Sequence, residues 1–298
     1  MTHSSITTSS PFDPVTWQVA GGKGMELGPS GKLIGIVNVT PDSFSDGGQY
    51  LDQKKAIEHA FSMIEAGAEI IDIGGESTRP GADAVSAEME QQRILPVLQE
   101  LAGNCDALIS VDTWRSETAL LALEAGAHII NDIWGTQKDD RMAEVIAGHE
   151  CGLIAMHNGR DRVKKSDVID DQFFYFSKTI KFIEEHGIDR NRVILDPGFG
   201  FAKNPEENIE LLARLEELHA LGYPLLAGTS RKRFIGHYTD KDVANRDIGT
   251  AATTVVARMK GAAIFRVHDV AANLDALAMA DAVIAAGDDV EPREVETA

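Results

Sequence analysis

The sequence predicts an α/β protein of the (β/α)8 TIM-barrel class, folded as a single domain. Short β-branched and aliphatic runs alternate strictly with stretches of helical period, eight times between Leu33 and Ala286, with no antiparallel hairpin signal. No Pro/Ser-rich linker divides the 298 residues. Polar residues fall at or just past the carboxyl ends of the runs: Asn38, Asp72, Asp112, Asn131, Asp196, Arg266 and His268. A doubly wound open sheet could use the same alternation, but in a barrel all those ends open on one mouth.

The first run, Leu33 to Val39, is nearly all aliphatic, as a strand buried on both faces requires. Asn38 interrupts it where a core would want Val or Ile, and the loop from Thr40 to Gly48 offers only Phe44 as an apolar anchor. That combination predicts a strand end opening into a site beneath a mobile cover. Leu51 to Ala66 follows with Ile57, Ala60, Phe61 and Ile64 at helical spacing and Gly67 as its stop. Ala68 to Ile73 is the second strand, ending in a loop that contains Thr78, Arg79 and Pro80, and Ser86 caps a helix to Leu101.

The unit then repeats. Strands over Leu108 to Val111, Ala127 to Ile130, Leu153 to Met156 and Val193 to Leu195 are followed by helices over Ser116 to Ala125, Arg141 to Ile146, Phe173 to His186 and Glu206 to Leu221. Leu225 to Ala227 precedes an irregular stretch and a helix over Ile248 to Lys260, and Ile264 to Val267 leads into a closing helix to Ala286. The expected boundaries are an N-terminal extension over 1–30, partly disordered, the barrel over 31–287 and an acidic tail over 288–298.

A formal charge of -19 repels nucleic acid and anionic membrane surfaces, so an anionic ligand must be met by local cations or a metal. Two cysteines, Cys105 and Cys151, suit a reducing, cytoplasmic compartment and packed free thiols. The start lacks a cationic and an apolar signal region, and no apolar run approaches membrane-spanning length, so neither secretion nor a membrane is expected.

Asp112, Asn131 and Asp196 can accept from the amide and amino edge of a flat heterocycle. Capping the following helix is what such residues commonly do, but three on nearby strands favour a ligand. In DPGFGFAK, from Asp196 to Lys203, the glycines allow close backbone approach and Phe199 or Phe201 could offer a ring. In GTSRKRFIG, Ser230, Arg231 and Lys232 directly after a strand can hold an anion, against the plain reading of a solvated basic loop. Arg266 and His268 alternate on the last strand, so both should point the same way, and Arg is costly inside a barrel unless paired or facing a ligand. His59, His128, His149 and His219 lack partner spacing and read as structural.

GIVNVTPDSFSDGG, EIIDIGGESTRPGA, SVDTWRSE, HIINDIWG, ILDPGFGFAKNPEEN, GTSRKRFIG and FRVHDV, in that order, closely resemble the dihydropteroate synthase family across Leu33 to about Ala286. The resemblance implies condensation of 6-hydroxymethyl-7,8-dihydropterin pyrophosphate with 4-aminobenzoate to give 7,8-dihydropteroate and pyrophosphate, with Mg2+, in a homodimer that sulfonamide-type analogues could target. Carried over by position, it gives Asp112, Asn131, Asp196 and Lys232 to the pterin, Arg266 to stacking on it, and Arg266 with His268 to the pyrophosphate. It gives Asn38 to Mg2+, and Phe201, Ser230 and Lys232 to the aminobenzoate. Thr78, Arg79 and Pro80 fall in the mobile second loop, and Phe44, Met156 and Arg231 are expected to line the substrates. Nothing is assigned between Asn158 and Gln172, where the family pattern is followed loosely.

Three other readings remain to be told apart. A pterin-binding methyltransferase barrel would need no pyrophosphate site, so Arg79, Arg266 and His268 count against it. A non-catalytic binding paralogue would be expected to have lost members of the first two loops, which are intact here. A Schiff-base aldolase using Lys232 is a third reading, which borohydride trapping would reveal.

Overall fold

Aliphatic side chains on alternate strand positions decide the architecture. The structure, a computed structural model, describes residues 10–40, 49–77 and 85–288. Its strands are β1 (Val15–Gln18), β2 (Gly24–Leu27), β3 (Lys32–Asn38), β4 (Ile70–Gly74), β5 (Leu108–Asp112), β6 (Ile129–Asp132), β7 (Gly152–Met156), β8 (Val193–Asp196), β9 (Leu226–Ala227) and β10 (Ile264–Val267). Strands β3 to β10 run parallel in the order β8-β7-β6-β5-β4-β3-β10-β9, and a bridge from Leu195 to Leu225 joins the two ends into a nearly closed barrel. The helices are α1 (Gln49–Glu65), α2 (Ala87–Asn104), α3 (Ser116–Glu124), α4 (Met142–His149), α5 (Val168–Glu185), α6 (Pro205–Ala213), α7 (Arg233–Thr239), α8 (Asp247–Met259) and α9 (Val270–Asp288).

Each barrel strand gives one aliphatic residue to an interior floor: Ile34, Ile70, Leu108, Ile129, Ile154, Ile194, Leu226 and Ile264, all buried in one cluster. The opposite faces of the same strands pack outward on the helices, with Val37, Ile71, Val111, Ile130 and Leu153 in the larger core. Both faces are thus apolar below the mouth, as a parallel barrel requires. The helix ends follow their local chemistry. Ser86 Oγ accepts from the Met89 amide at 3.2 Å, and Gly67 and Gly126 take φ of +105° and +107° just past α1 and α3.

Several expectations need correction. Within the expected N-terminal extension lies a hairpin, β1–β2, whose strands pair antiparallel, and Trp17, Val19 and Leu27 close the floor cluster from below. Its sequence is mostly polar because only those residues face the barrel; Trp17 is 1% exposed and donates from Nε1 to the Arg192 carbonyl at 2.8 Å. The helix expected over Glu206 to Leu221 breaks at Arg214, whose guanidinium meets Asp167, Glu210 and Glu217, and continues as a 3-10 turn from Leu215. Leu215 and Leu218, three apart, stay buried in that tighter turn. The stretch after β9, expected to be irregular, contains α7, with Phe234 and Ile235 buried.

The expectation that no run reaches membrane-spanning length is also overturned. Val270–Gly287 in α9 is 18 residues with mean hydropathy 1.4, long and apolar enough by length and composition alone. Two of its polar residues face protein: Asn273 is fully buried, and Asp281 accepts from the Gly31 amide and pairs with Arg258 of α8, while Asp275 is exposed. Cys105 and Cys151 are both free, the first only partly buried.

Candidate active site

Moving two positions up from each floor residue keeps the side chain inside the barrel, and the chemistry changes at that step. Ile36, Asp72, Ser110, Asn131, Met156, Asp196, Gly228 and Arg266 stand two residues beyond the floor, with Asp72, Asn131 and Asp196 each under 5% exposed. Strand register makes neighbours of Asp72 and Ser110, of Asp112 and Asn131, and of Met156 and Asp196. A ring at one depth, five of its eight members polar, therefore follows from period-two alternation in a nearly closed sheet.

Arg266 reaches across this ring. It donates from Nε to Asp72 Oδ2 at 2.6 Å and from Nη2 to Asp112 Oδ2 at 3.0 Å. Asn131 Nδ2 donates to the same Asp72 oxygen at 3.0 Å. With its edge held by two carboxylates, the guanidinium has no freedom to swing away, while its flat face remains a surface for stacking. Asp72 Oδ1 and Ser110 Oγ are buried with no partner among the described residues, which marks a polar layer built to meet something further.

The other wall comes from the turns after β8 and β9. Asp196 Oδ1 accepts from the Gly198 amide at 2.8 Å, and Lys232 Nζ donates to the Phe199 carbonyl. A Cβ on Gly228 would stand 3.6 Å from Asp196 Oδ2 and 3.9 Å from Lys232 Nζ, so the bare glycine keeps the space between that acid and that base clear. Phe199 is fully buried and packs near Phe234 at 6.3 Å, leaving Phe201 as the ring at the mouth. Lys232 Nζ and Arg160 Cζ stand 4.8 and 4.9 Å from the centre of the Phe201 ring.

Among the described residues Arg266 and His268 meet different groups: His268 lies one residue past β10, its Nδ1 2.8 Å from Ser230 Oγ. Arg231 adopts φ +55° and turns its guanidinium onto Asp247, with two contacts of 2.7 and 2.8 Å, away from the acids of the mouth. Asn38 ends β3, and its Oδ1 is 3.6 Å from where a Cβ on Gly74 would be, with Asp112 Oδ2 3.8 Å from the same point. Phe44, Thr78, Arg79 and Pro80 lie outside the described residues.

Burial shifts these groups in a consistent way. It pushes the Asp112 carboxyl up to about 7; Arg266 opposes the rise, and Asp72, Glu90 and Asp132 add to it. Asp132 rises to about 6 for the same reason, against hydrogen bonds from the Trp134 and Thr136 amides. Asp196 is raised by burial, with Lys232 pulling the other way. Lys232 is pushed down to about 8 by burial despite Asp196. Folded Asp112 thus holds its proton where the unfolded chain has lost it, so its contribution to stability falls as pH rises from about 4 to 7. Lys232 sheds its proton early, so its contribution rises from about 8 toward the ordinary lysine value of 10.5. Relative to Asp112→Asn, the native chain should lose roughly 1.4 kcal/mol of unfolding free energy per pH unit between about 4 and 7. Urea titrations of both proteins at pH 5 and 7 check this, and a constant difference would refute it.

Sequence reading placed Asp72 at a strand end without seeing its role, since the contact to Arg266 spans 194 positions. It also left 158–172 unassigned. There His157, fully buried at the end of β7, meets Asp171 at 3.0 Å, and Arg162 forks onto the same carboxylate at 2.7 and 2.8 Å. Basic residues clustered in NGRDRVKK were the only available signal.

A family model described as pterin binding enzyme matches residues 34–268. The chain is 46% identical over 255 residues to the dihydropteroate synthase of Bacillus subtilis (strain 168), covering 86% of this chain and 89% of that one. It superposes with a TM-score of 0.86 on the Xanthomonas albilineans dihydropteroate synthase solved with 4-aminobenzoic acid, at 39% identity over 91% of this chain and 99% of the other. A second structure from that organism, in complex with 7,8-dihydropteroate, gives 0.80 at 38% identity over 86% and 94%.

Proposed function

This chain belongs to the dihydropteroate synthase family of pterin-binding enzymes, and from that premise we propose how its barrel mouth carries out the condensation. It is a transferase that joins 6-hydroxymethyl-7,8-dihydropterin pyrophosphate to 4-aminobenzoate, giving 7,8-dihydropteroate and pyrophosphate. The observation that carries the assignment of residues is the Asp72–Arg266–Asp112 bridge, set level with Asn131 and Asp196.

Asp112, Asn131 and Asp196 receive the N–H edge of the pterin, Arg266 stacks on its ring, and Lys232 donates to its acceptor side. Arg266 and His268, the latter fixed by Ser230, hold the pyrophosphate. Phe201, Ser230 and Lys232 border the aminobenzoate, with Met156 lining the pterin pocket; Thr78, Arg79, Pro80 and Phe44 belong to the loops that exclude water. Arg231 acts through its backbone and the Asp247 pair, shaping the loop that carries Lys232.

The bond from the methylene carbon to the pyrophosphate oxygen breaks, and the aminobenzoate nitrogen attacks that carbon and sheds one of its two N–H protons to solvent as the C–N bond forms. The departing electron pair leaves a cation delocalised over the ring. Asp112 and Asp196 stabilise that charge, while Arg266 and His268 meet the charge building on the leaving group. The fixed Arg266–Asp72 contact means these groups need no rearrangement as charge develops.

Asn38 and its surroundings fit Mg2+ of the kind held jointly with substrate. Its amide oxygen borders the clear space over Gly74, and no cluster of three or more acidic, His or Cys side chains that could hold a metal alone exists among the described residues. Bound there with the diphosphate, the ion would supply neutralisation of the leaving group.

A homodimer and a cytoplasmic location complete the proposal. The packed pair α8–α9 leaves Ile248, Val256, Met259, Leu274, Met279 and Val283 exposed, an apolar surface suited to a second copy. The free thiols suit a reducing compartment.

Incubating the purified protein with the pterin pyrophosphate, 4-aminobenzoate and Mg2+ should yield dihydropteroate and pyrophosphate in equal amounts, and chelator should stop it. Failure to form dihydropteroate with metal present would end this reading.

A further inference from the structure

The turn between β8 and α6 has an unusual shape. Gly198, Gly200 and Ala202 take φ of +67°, +79° and +51°, three left-handed residues within five, one of them carrying a Cβ. A Cβ on Gly198 would stand 2.1 Å from the His157 carbonyl oxygen, so the turn is pressed onto the end of β7. Such a backbone persists only where its surroundings over-determine it.

Lys203, the last residue of DPGFGFAK, supplies that constraint from within. Its ammonium donates to the Pro197 and Gly198 carbonyls at 2.9 Å each and lies 3.0 Å from His157 Nδ1, with the Phe201 carbonyl at 3.5 Å. An ammonium has three N–H donors, and here three close acceptors meet them. His157 is suited to accept: burial pushes it down to about 3, so the ring is neutral, and since an ammonium only donates, its 3.0 Å approach to Nδ1 assigns the lone pair to Nδ1 and the ring proton to Nε2, which faces Asp171 and Arg162. Among the described residues no carboxylate pairs directly with Lys203, so its position is set by the turn and not by an ion pair.

We propose that Lys203 is a positioning residue for the condensation: held by His157 and the turn's carbonyls, its ammonium fixes the 197–203 backbone so that Phe201 and Asp196 present their side chains to the substrates. The inference rests on the assignment of Phe201 and Asp196 above. Lys203 reaches the mouth through the backbone it holds; burial, with Lys232 adding to it, pushes its ammonium down to about 7, and in the charged form it favours the ionised Asp196.

The test compares Lys203→Met, Lys203→Arg and Lys203→Ala by steady-state kinetics in both substrates. Lys203→Met keeps the stem and loses the donors; it should raise KM for 4-aminobenzoate about tenfold or more while kcat changes under about threefold, as for a misplaced binding wall. Lys203→Arg, with a planar fork that cannot serve three converging acceptors, should show a smaller rise in the same direction. In Lys203→Ala, added propylammonium should restore KM in a saturable way and leave the native enzyme unaffected. A purely structural lysine would lower the melting temperature without moving KM, and that result overturns the inference. If Lys203→Met does not fold, an unchanged KM in Lys203→Arg overturns it equally. Normal turnover by the native chain in the same assay keeps the proposed function standing either way.

Discussion

Arg266→Met is expected to lower kcat/KM by about 10³-fold and to destabilise the fold by about 3–5 kcal/mol at neutral pH. Both effects have one origin. Asp72 is fully buried, and its Oδ2 is shared between Arg266 and Asn131. Deleting the cation leaves Asp72 and Asp112 facing each other without their common partner, and a buried carboxylate stripped of its counter-charge costs far more than an exposed pair would return. The stability loss should shrink at pH 5, where Asp112, pushed up by burial to about 7, holds a proton instead. Arg266→Lys should recover little, because a single ammonium cannot reach Asp72 and Asp112 with the separate Nε and Nη2 contacts seen here. Chemical denaturation at two pH values and initial rates with both substrates check this. Native-like stability in Arg266→Met would mean the bridge is not what holds the mouth together.

Lys232→Ala and Asp196→Asn should each remove product formation, by about 10³-fold or more, with the fold preserved. The contrast with Arg266 lies in what is left behind. Lys232 bonds a carbonyl, that of Phe199, and is only partly buried, so truncation opens the mouth to water, and Asp196, already raised by burial, can take up a proton once the cation that pulls it down is gone. Asp196→Asn keeps the shape and still offers an oxygen to the Gly198 amide, losing mainly the negative charge that answers a positive ring. Circular dichroism and melting curves close to those of the native enzyme, together with absent turnover, are the expected outcome. Full turnover in either variant would remove that residue from the site.

The fold was largely legible because alternation is a local property. Strand runs such as Leu33 to Val39 and stops such as Gly67 and Gly126 depend on neighbours two to four positions away, and the structure follows them to within a few residues. What failed was governed by distant contacts. Trp17 becomes a floor residue only because a closed barrel offers it a ring of eight aliphatic side chains, and nothing around Trp17 in the chain announces that ring. Where α6 ends, Arg214 meets Asp167 from another element, a partner 47 positions away in the chain.

The same division runs through the site. Acids and amides at strand ends were visible as polar interruptions in apolar runs, so Asn38, Asp112, Asn131, Asp196 and Arg266 could be named from the chain. Their pairing could not be: that Asp72 anchors Arg266, that Arg231 turns to Asp247 and that Phe199 is core while Phe201 reaches the mouth follow from which side chains the closed sheet brings within a few ångströms. By itself the sequence determined the period of its hydrophobic residues and the places where that period breaks, since both are set by backbone geometry over a few residues. Only the tertiary structure decided who meets whom, because hydrogen bonds and burial act over 3 Å in space and are indifferent to separation along the chain.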